Sequence, residues 1–128
     1  MHGNTGLAAL LGGRHDAARA AFCNELTTAH AHGVVTFYME GLLGLAALAA
    51  ADGDDRRAAV LHAAAWALND RSVFSAEAPV YECVQQRVIA PARERLGRDA
   101  WEAASAAARS LHAESAIALA LEPALLPD

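Results

Sequence analysis

The sequence contains no lysine, only two cysteines and few aromatic residues, which make up 5% of its 128 residues. Cys23 and Cys83 stand alone rather than in a C-x-x-C pair, so they predict reduced, buried thiols and not a disulfide framework. No stretch alternates apolar and polar residues with the period of two that a half-buried strand needs, which argues against a β-sheet. A GxxxxGK[ST] phosphate-binding loop is also missing, so we expect no ATPase activity from this chain.

The absence of lysine means that all ten basic residues are arginines, and the formal net charge is −5. A net-acidic domain repels a phosphate backbone, so direct binding of nucleic acid is disfavoured. No basic run precedes the first short apolar stretch, so we expect no secretory signal. The longest apolar span, residues 34–51, is broken by Thr36 and Glu40 and favours a buried helix over a membrane span. We therefore expect a cytoplasmic protein without a membrane segment.

Alanine supplies most of the apolar character, with 34 of the 128 residues. It has the highest helix propensity, because it gives up no side-chain entropy when a helix forms. Its small side chain also lets helix axes approach closely. The composition therefore predicts an all-α protein with a core of alanine and leucine.

Glycine-centred breaks divide this alanine-rich chain into segments of helical length. The predicted helices are residues 7–11, 15–32, 34–51, 55–68, 79–96, 99–109 and 113–121. Connectors of two to four residues predict antiparallel neighbours, and the segment 34–51, apolar nearly all round, predicts the central helix. Pro91 lacks a backbone N–H and should kink or split its helix.

An internal repeat points to the way in which these helices stack. Residues 7–18 and 45–58 each carry Leu-Ala-Ala-Leu before a glycine corner and a new helix start, at an offset of about forty residues. This offset lies within the range of helical-repeat periods. We predict antiparallel hairpins stacked as a short right-handed superhelix of the tetratricopeptide (TPR-like) type, with six to seven helices. Residues 1–122 form one domain in this prediction, and residues 123–128 form a tail.

Two sets of residues, in order along the chain, resemble a known class of regulator. The first set is residues 42–54, 57–61 and 63–65, and the second is residues 81–82, 92–97, 100–101 and 116–121. Together they resemble the tetratricopeptide-like C-terminal region of large bacterial LuxR-type and related ATPase-containing transcriptional regulators. The resemblance covers most of the chain from residue 34 to residue 122.

This resemblance implies a fragment or stand-alone relative of a regulatory helical-repeat region. Such regions bind effectors or partner proteins in signal transduction and couple that event to an ATPase or DNA-binding module elsewhere. The sequence departs from the full pattern, because it has no phosphate-binding loop and no helix-turn-helix after Asp128. Pro91 also interrupts a helix that is usually continuous in the family.

The six histidines do not predict a metal site. His30 and His32 are two residues apart, which places them on different sides of a helix, whereas zinc ligands on a helix need a spacing of three or four. His62, between Leu61 and Ala63, is typical of a partly buried, hydrogen-bonded residue. One helix also cannot bring Cys23 within hydrogen-bond reach of a histidine seven or eight residues away. We therefore expect no metal, no cofactor and no enzymatic activity.

Five residues are the candidate ligand contacts: Phe37, Tyr38, Glu40, His62 and Trp66. Glu40 is interpreted either as an exposed residue in the first turns of its helix or as a polar contact whose pKa is raised by burial. The aromatic residues either fill gaps between the alanine-rich hairpins or line a concave groove of the kind where helical-repeat domains take their ligands.

These features favour a non-enzymatic regulatory module that binds a partner protein, a peptide or a second copy of itself. The alternative is a small-molecule sensor, with an effector held in a cavity between hairpins by Glu40, His62 or an aromatic residue. Repeat arrays without polar caps self-associate through an open end, so we expect a homodimer.

Overall fold

The computed structural model of the chain describes residues 9–33, 36–67, 83–111 and 113–121, with side chains throughout except at 36–40 and 113–114. Every regular element in these ranges is helical, which confirms the predicted all-α class. Residues 9–11 end a first helical segment. The helices that follow are α1 (His15–His32), α2 (Thr36–Ala51), α3 (Asp55–Ala67), a π-helical turn (Gln85–Ile89) that continues into α4 (Ala90–Leu96), α5 (Arg98–Arg109) and α6 (Ala113–Leu121).

Helix α1 begins and ends where the sequence predicts. Gly33 follows its last residue in the left-handed conformation, with φ +67°, and donates backbone hydrogen bonds to carbonyls of the last turn. A glycine in this position ends a helix at little cost, because it has no Cβ to clash with the preceding carbonyl. The predicted irregular segment 69–79 and the tail 123–128 lie outside the described residues.

Contacts between α1 and α2 show that the two helices run antiparallel. At one end, the imidazole Nδ1 of His15 lies 2.9 Å from an Asp52 carboxylate oxygen. Further along, the Phe22 ring lies against Gly44, and Leu26 lies against Gly41. Because the residue number rises along α1 as it falls along α2, these contacts confirm the predicted reversal.

Helix α2 is the centre of the fold, as predicted. Residues 41–50 are all buried, which requires neighbours on every side of the helix. Helices α1, α3 and α6 and the π-helical turn provide that cover. Alanine and glycine make such dense surroundings possible, since they let the neighbouring axes approach closely.

Two corners of the chain share one backbone geometry, and their glycines, Gly13 and Gly53, are forty residues apart. In each corner the glycine N–H donates to the carbonyl three residues back at 3.1 Å, and the next N–H donates to the carbonyl five residues back at 2.8 Å. This bonding is the Schellman motif, which needs a positive φ that glycine adopts without strain. The two glycine corners of the predicted repeat therefore share the same backbone hydrogen bonds.

The end of α4 lies beside the start of α3, so this pair is also antiparallel. The Arg95 guanidinium donates to both carboxylate oxygens of Asp55 at 2.9 and 3.1 Å, and to the Ala50 carbonyl at 3.0 Å. At the other end of the pair, His62 lies 3.2 Å from Gln85. Arg95 therefore joins α4 to the end of α2 and the start of α3.

Pro91 does not interrupt the helical backbone. In the π-helical turn the Ala90 N–H donates to the carbonyl of Gln85, five residues back. Pro91 then lies in the first turn of α4, which directly continues the π-helical turn, and it offers no N–H to the carbonyls of the turn before it. The wider turn resolves the crowding that an interior proline creates, so the chain stays helical from residue 83 to residue 96.

Helix α6 is fixed to the rest of the fold by Arg57. This side chain donates to the carbonyls of Leu119 and Ala120, at 2.9 and 3.3 Å. A cation at the C-terminal end of a helix also interacts favourably with the negative pole of the helix dipole. The buried face of α6 is formed by Ala116, Ile117 and Ala120, whereas Leu121 is 37% exposed.

The two cysteines are less buried than predicted. Cys23 and Cys83 are both free thiols and only partly buried. Burial nevertheless raises the pKa of Cys23, against the smaller opposing effect of Arg19 and Arg57.

None of the helices in the described ranges has the length and hydrophobicity that a membrane crossing needs.

Candidate ligand-binding groove

A surface groove of about 420 Å³ lies between α3 and α5, next to α4. We call it the α3–α5 groove. The residues that line it are His62, Ala63, Trp66, Ala67, Arg93, Trp101, Glu102, Ser105 and Arg109. Its volume lies within the range of ordinary ligand pockets.

Helical spacing explains why these residues share one surface. On α3, His62 and Trp66 are four residues apart, so they lie one above the other on the same face. On α5, the same spacing aligns Trp101, Ser105 and Arg109. The packing of α3 on α5 then brings the two rows together.

The two tryptophans of the groove have different roles. Trp101 is only 4% exposed and belongs to the core, whereas Trp66 is 40% exposed. The interpretation of Trp66 as core packing is therefore wrong, and the alternative of a groove-lining aromatic agrees with its position. His62 lies between the two indoles, with ring centroids 6.3 Å from Trp66 and 6.2 Å from Trp101.

The Nε2 atom of His62 has two hydrogen-bond partners within reach. It lies 3.2 Å from the indole nitrogen of Trp66 and 3.2 Å from the side-chain oxygen of Gln85, the first residue of the π-helical turn. The indole can only donate, so the bond with Trp66 requires an unprotonated Nε2. A protonated Nε2 would instead donate to the Gln85 oxygen. The protonation state of His62 thus decides which of the two groups it holds.

The surroundings of His62 favour its neutral form. Burial lowers the pKa of His62 below its ordinary value of about 6.5, and the charge of Arg93 adds to this effect, while the hydrogen bond to Gln85 opposes it. At neutral pH the imidazole is therefore uncharged, and it accepts the Trp66 hydrogen bond in the tautomer that carries its proton on Nδ1.

We expect this lowered pKa to make stability depend on pH below about 6.5. Between the native pKa and that value the unfolded chain binds more protons than the native one, so the free energy of unfolding falls as the pH falls. In His62→Gln the residue no longer titrates, and the fall over this interval should be smaller. Urea unfolding from pH 5 to pH 7, followed by circular dichroism, measures the difference. Equal slopes in the two proteins, or a native His62 pKa at or above 6.5 by NMR titration, would contradict the expectation.

The charged edge of the groove consists of Arg93, Glu102 and Arg109. Glu102 lies between the two arginines, with one carboxylate oxygen 3.7 Å from the Arg93 guanidinium and the other 3.5 Å from that of Arg109. All three side chains are more than half exposed. Both distances exceed the 2.7–2.9 Å of a charge-assisted hydrogen bond, so these pairs contribute little to stability.

Two of the five candidate contacts, His62 and Trp66, lie together in the α3–α5 groove. The side chains of the other three, Phe37, Tyr38 and Glu40, lie outside the described part of the structure. Sequence reasoning missed the contribution of α5, although the four-residue spacing from Trp101 to Arg109 marks one face of a helix. It could not show that this face lies against α3.

A second, much smaller cavity lies where α1, α2, α3 and α6 meet. It is lined by Arg19, Leu45, Ala49, Asp52, Asp54, Arg57 and Ala120. Its volume of about 20 Å³ is enough for a single water molecule. Two of its charged groups already pair with each other, since Arg19 donates to Asp52 at 3.1 Å. The charged residues around this cavity connect the helices, and the cavity itself is too small to hold an effector.

The described side chains provide no cluster of three histidine, cysteine, aspartate or glutamate residues that could hold a metal ion. The raised pKa of Cys23 keeps that thiol protonated, which is unfavourable for a nucleophile.

The likeness to LuxR-type regulators stays a prediction, because no protein-family model, curated protein or solved structure matches this chain.

Proposed function

We propose that this chain is a non-enzymatic interaction module that binds a peptide segment of a partner protein in the α3–α5 groove. The observation that carries the proposal is the exposed indole of Trp66, which is hydrogen-bonded to His62 and shares the groove with two alanines and two arginines. Tryptophan and arginine are the residue types most enriched among the energetically dominant contacts of protein interfaces. The role fits a regulatory helical-repeat protein, with TPR-like stacking and cytoplasmic location as parts of the same proposal.

The groove favours a peptide over an enclosed small effector. It is an open surface feature lined by aromatic, apolar and charged side chains together, a combination that is common in protein interfaces. The cavity at the junction of α1, α2, α3 and α6, by contrast, has room for one water molecule. A sensor that holds its effector in this cavity is therefore the weaker candidate.

The proposal is tested by a selection in which the full chain is the target and a displayed library of random peptides supplies the ligands. Peptides selected on the unchanged protein should bind Trp66→Ala at least tenfold more weakly, because truncation of a central aromatic contact costs about 2 kcal/mol or more. Leu121→Ala is the matched control, since Leu121 is similarly exposed but belongs to α6. It should bind with unchanged affinity.

Two results would count against the proposal. One is a selection in which no peptide is enriched over the display background. The other is equal affinity of the selected peptides for Trp66→Ala and for the unchanged protein. Light scattering of the free chain tests the expected homodimer separately, and a monomer mass at high concentration would reject it.

A further inference from the structure

The charges at the α3–α5 groove have an excess of one sign. Arg93 and Arg109 are separated only by Glu102, so two positive charges share one negative charge. The chain as a whole carries a formal charge of −5, so this local excess opposes the overall charge. The positive charge of Arg93 also acts on His62 in the same groove, because it contributes to the lowering of the His62 pKa.

The two arginines retain donor capacity for a ligand. Their guanidinium nitrogens are 3.7 and 3.5 Å from Glu102, too far for short charge-assisted hydrogen bonds. Each guanidinium presents five N–H donors in a planar fork that matches the two oxygens of a carboxylate. A ligand carboxylate that competes with Glu102 for these guanidinium groups would gain short bonds that the long pairs with Glu102 do not make.

The rest of the groove specifies what accompanies that carboxylate. Ala63 and Ala67 present only methyl groups from α3, and Trp66 presents an exposed indole beside them. Such a surface takes an apolar or aromatic side chain, which packs on the indole and covers the methyl groups. An apolar contact and a carboxylate clamp thus lie within one groove of about 420 Å³, the size of a few side chains.

We propose that the α3–α5 groove selects a peptide segment in which a carboxylate neighbours an aromatic or large aliphatic side chain. Arg93 and Arg109 bind the carboxylate, and Trp66 with Ala63 and Ala67 binds the apolar side chain. This inference rests on the proposed function, and it adds the chemical class of the partner. The carboxylate comes from aspartate, from glutamate or from the C-terminus of the partner chain.

Opposite effects of matched substitutions at the charged edge test this assignment. A peptide enriched in the library selection is synthesised, and its affinity is measured by isothermal titration against Arg93→Gln, Arg109→Gln and Glu102→Gln. Each arginine substitution should weaken binding about tenfold, because it removes a hydrogen bond to a charged group. Glu102→Gln should tighten binding about threefold, because the competing carboxylate is gone. All three side chains are exposed, and circular dichroism checks that the variants stay folded.

Changes in the peptide complete the test. Replacement of its aspartates and glutamates by amides identifies a side-chain carboxylate, and amidation of its C-terminus identifies a terminal one. Loss of affinity in either arm supports the assignment. If enriched peptides depend on Trp66 but bind equally well without any carboxylate, or bind the arginine variants unchanged, the inference is overturned while the proposed function stands. If no peptide is enriched, the proposed function itself fails.

Discussion

Replacement of Trp101 by alanine is expected to lower the free energy of unfolding by about 3–5 kcal/mol, the usual cost of truncating a buried aromatic residue. Trp101 is 4% exposed and packs against His62 of α3, so its removal leaves a cavity between α3 and α5. Ala63 and Ala67, which line the same groove, have only methyl groups and cannot fill it. Urea unfolding followed by circular dichroism measures the loss without relying on tryptophan fluorescence.

Trp66→Ala provides the matched control for this experiment. It removes the same side chain from the other wall of the groove, where the indole is 40% exposed. We expect a loss within about 1 kcal/mol, mostly from the hydrogen bond to His62. Equal losses in the two variants would mean that Trp101 is not the core residue described above.

The substitution Gly44→Ala is expected to destabilise the protein by about 1–3 kcal/mol, although alanine is the better helix former. A Cβ at position 44 would overlap with the ring of Phe22, whose Cζ would lie 2.6 Å away. Phe22 is completely buried, so its ring has no open space into which to move. The helices α1 and α2 would have to separate.

Gly41→Ala is the natural comparison, because Gly41 lies in the same helix. There the new Cβ would lie 3.2 Å from the Cβ of Leu26, a tight contact that a small shift relieves. Both substitutions gain the same helix propensity, so the difference between their free energies of unfolding isolates the packing with Phe22. Phe22→Leu in the Gly44→Ala background should recover part of the loss, as expected for contacting residues. A Gly44→Ala protein as stable as the Gly41→Ala protein would contradict the close approach.

The helices were predictable because their ends are determined locally. Gly33, Gly53 and Gly97 adopt positive φ, and each directly follows a helix or lies in its closing turn. The antiparallel order of α1 and α2 follows from a connector too short for any other arrangement. Such information is contained within a few neighbouring residues, so the sequence alone reveals it.

The α3–α5 groove was only half predictable, because it depends on contacts between distant parts of the chain. His62 and Trp66 are four residues apart on one helix, so their proximity could be foreseen. The exposure of Trp66 and the burial of Trp101 depend on where α5 lies against α3, and residues 68–97 separate the two helices. Both tryptophans occur in alanine-rich helical sequence, so local pattern gives no reason to treat them differently.

The matching corners at Gly13 and Gly53 also bear on how such a chain could grow. Residues 14–53 enter through one Schellman corner and leave through another with the same hydrogen bonds. A tandem duplication of this forty-residue cassette would therefore join to the existing chain at a geometry that its own termini already satisfy. The copied segment would end in the same glycine corner as the original, with its positive φ and its two backbone hydrogen bonds.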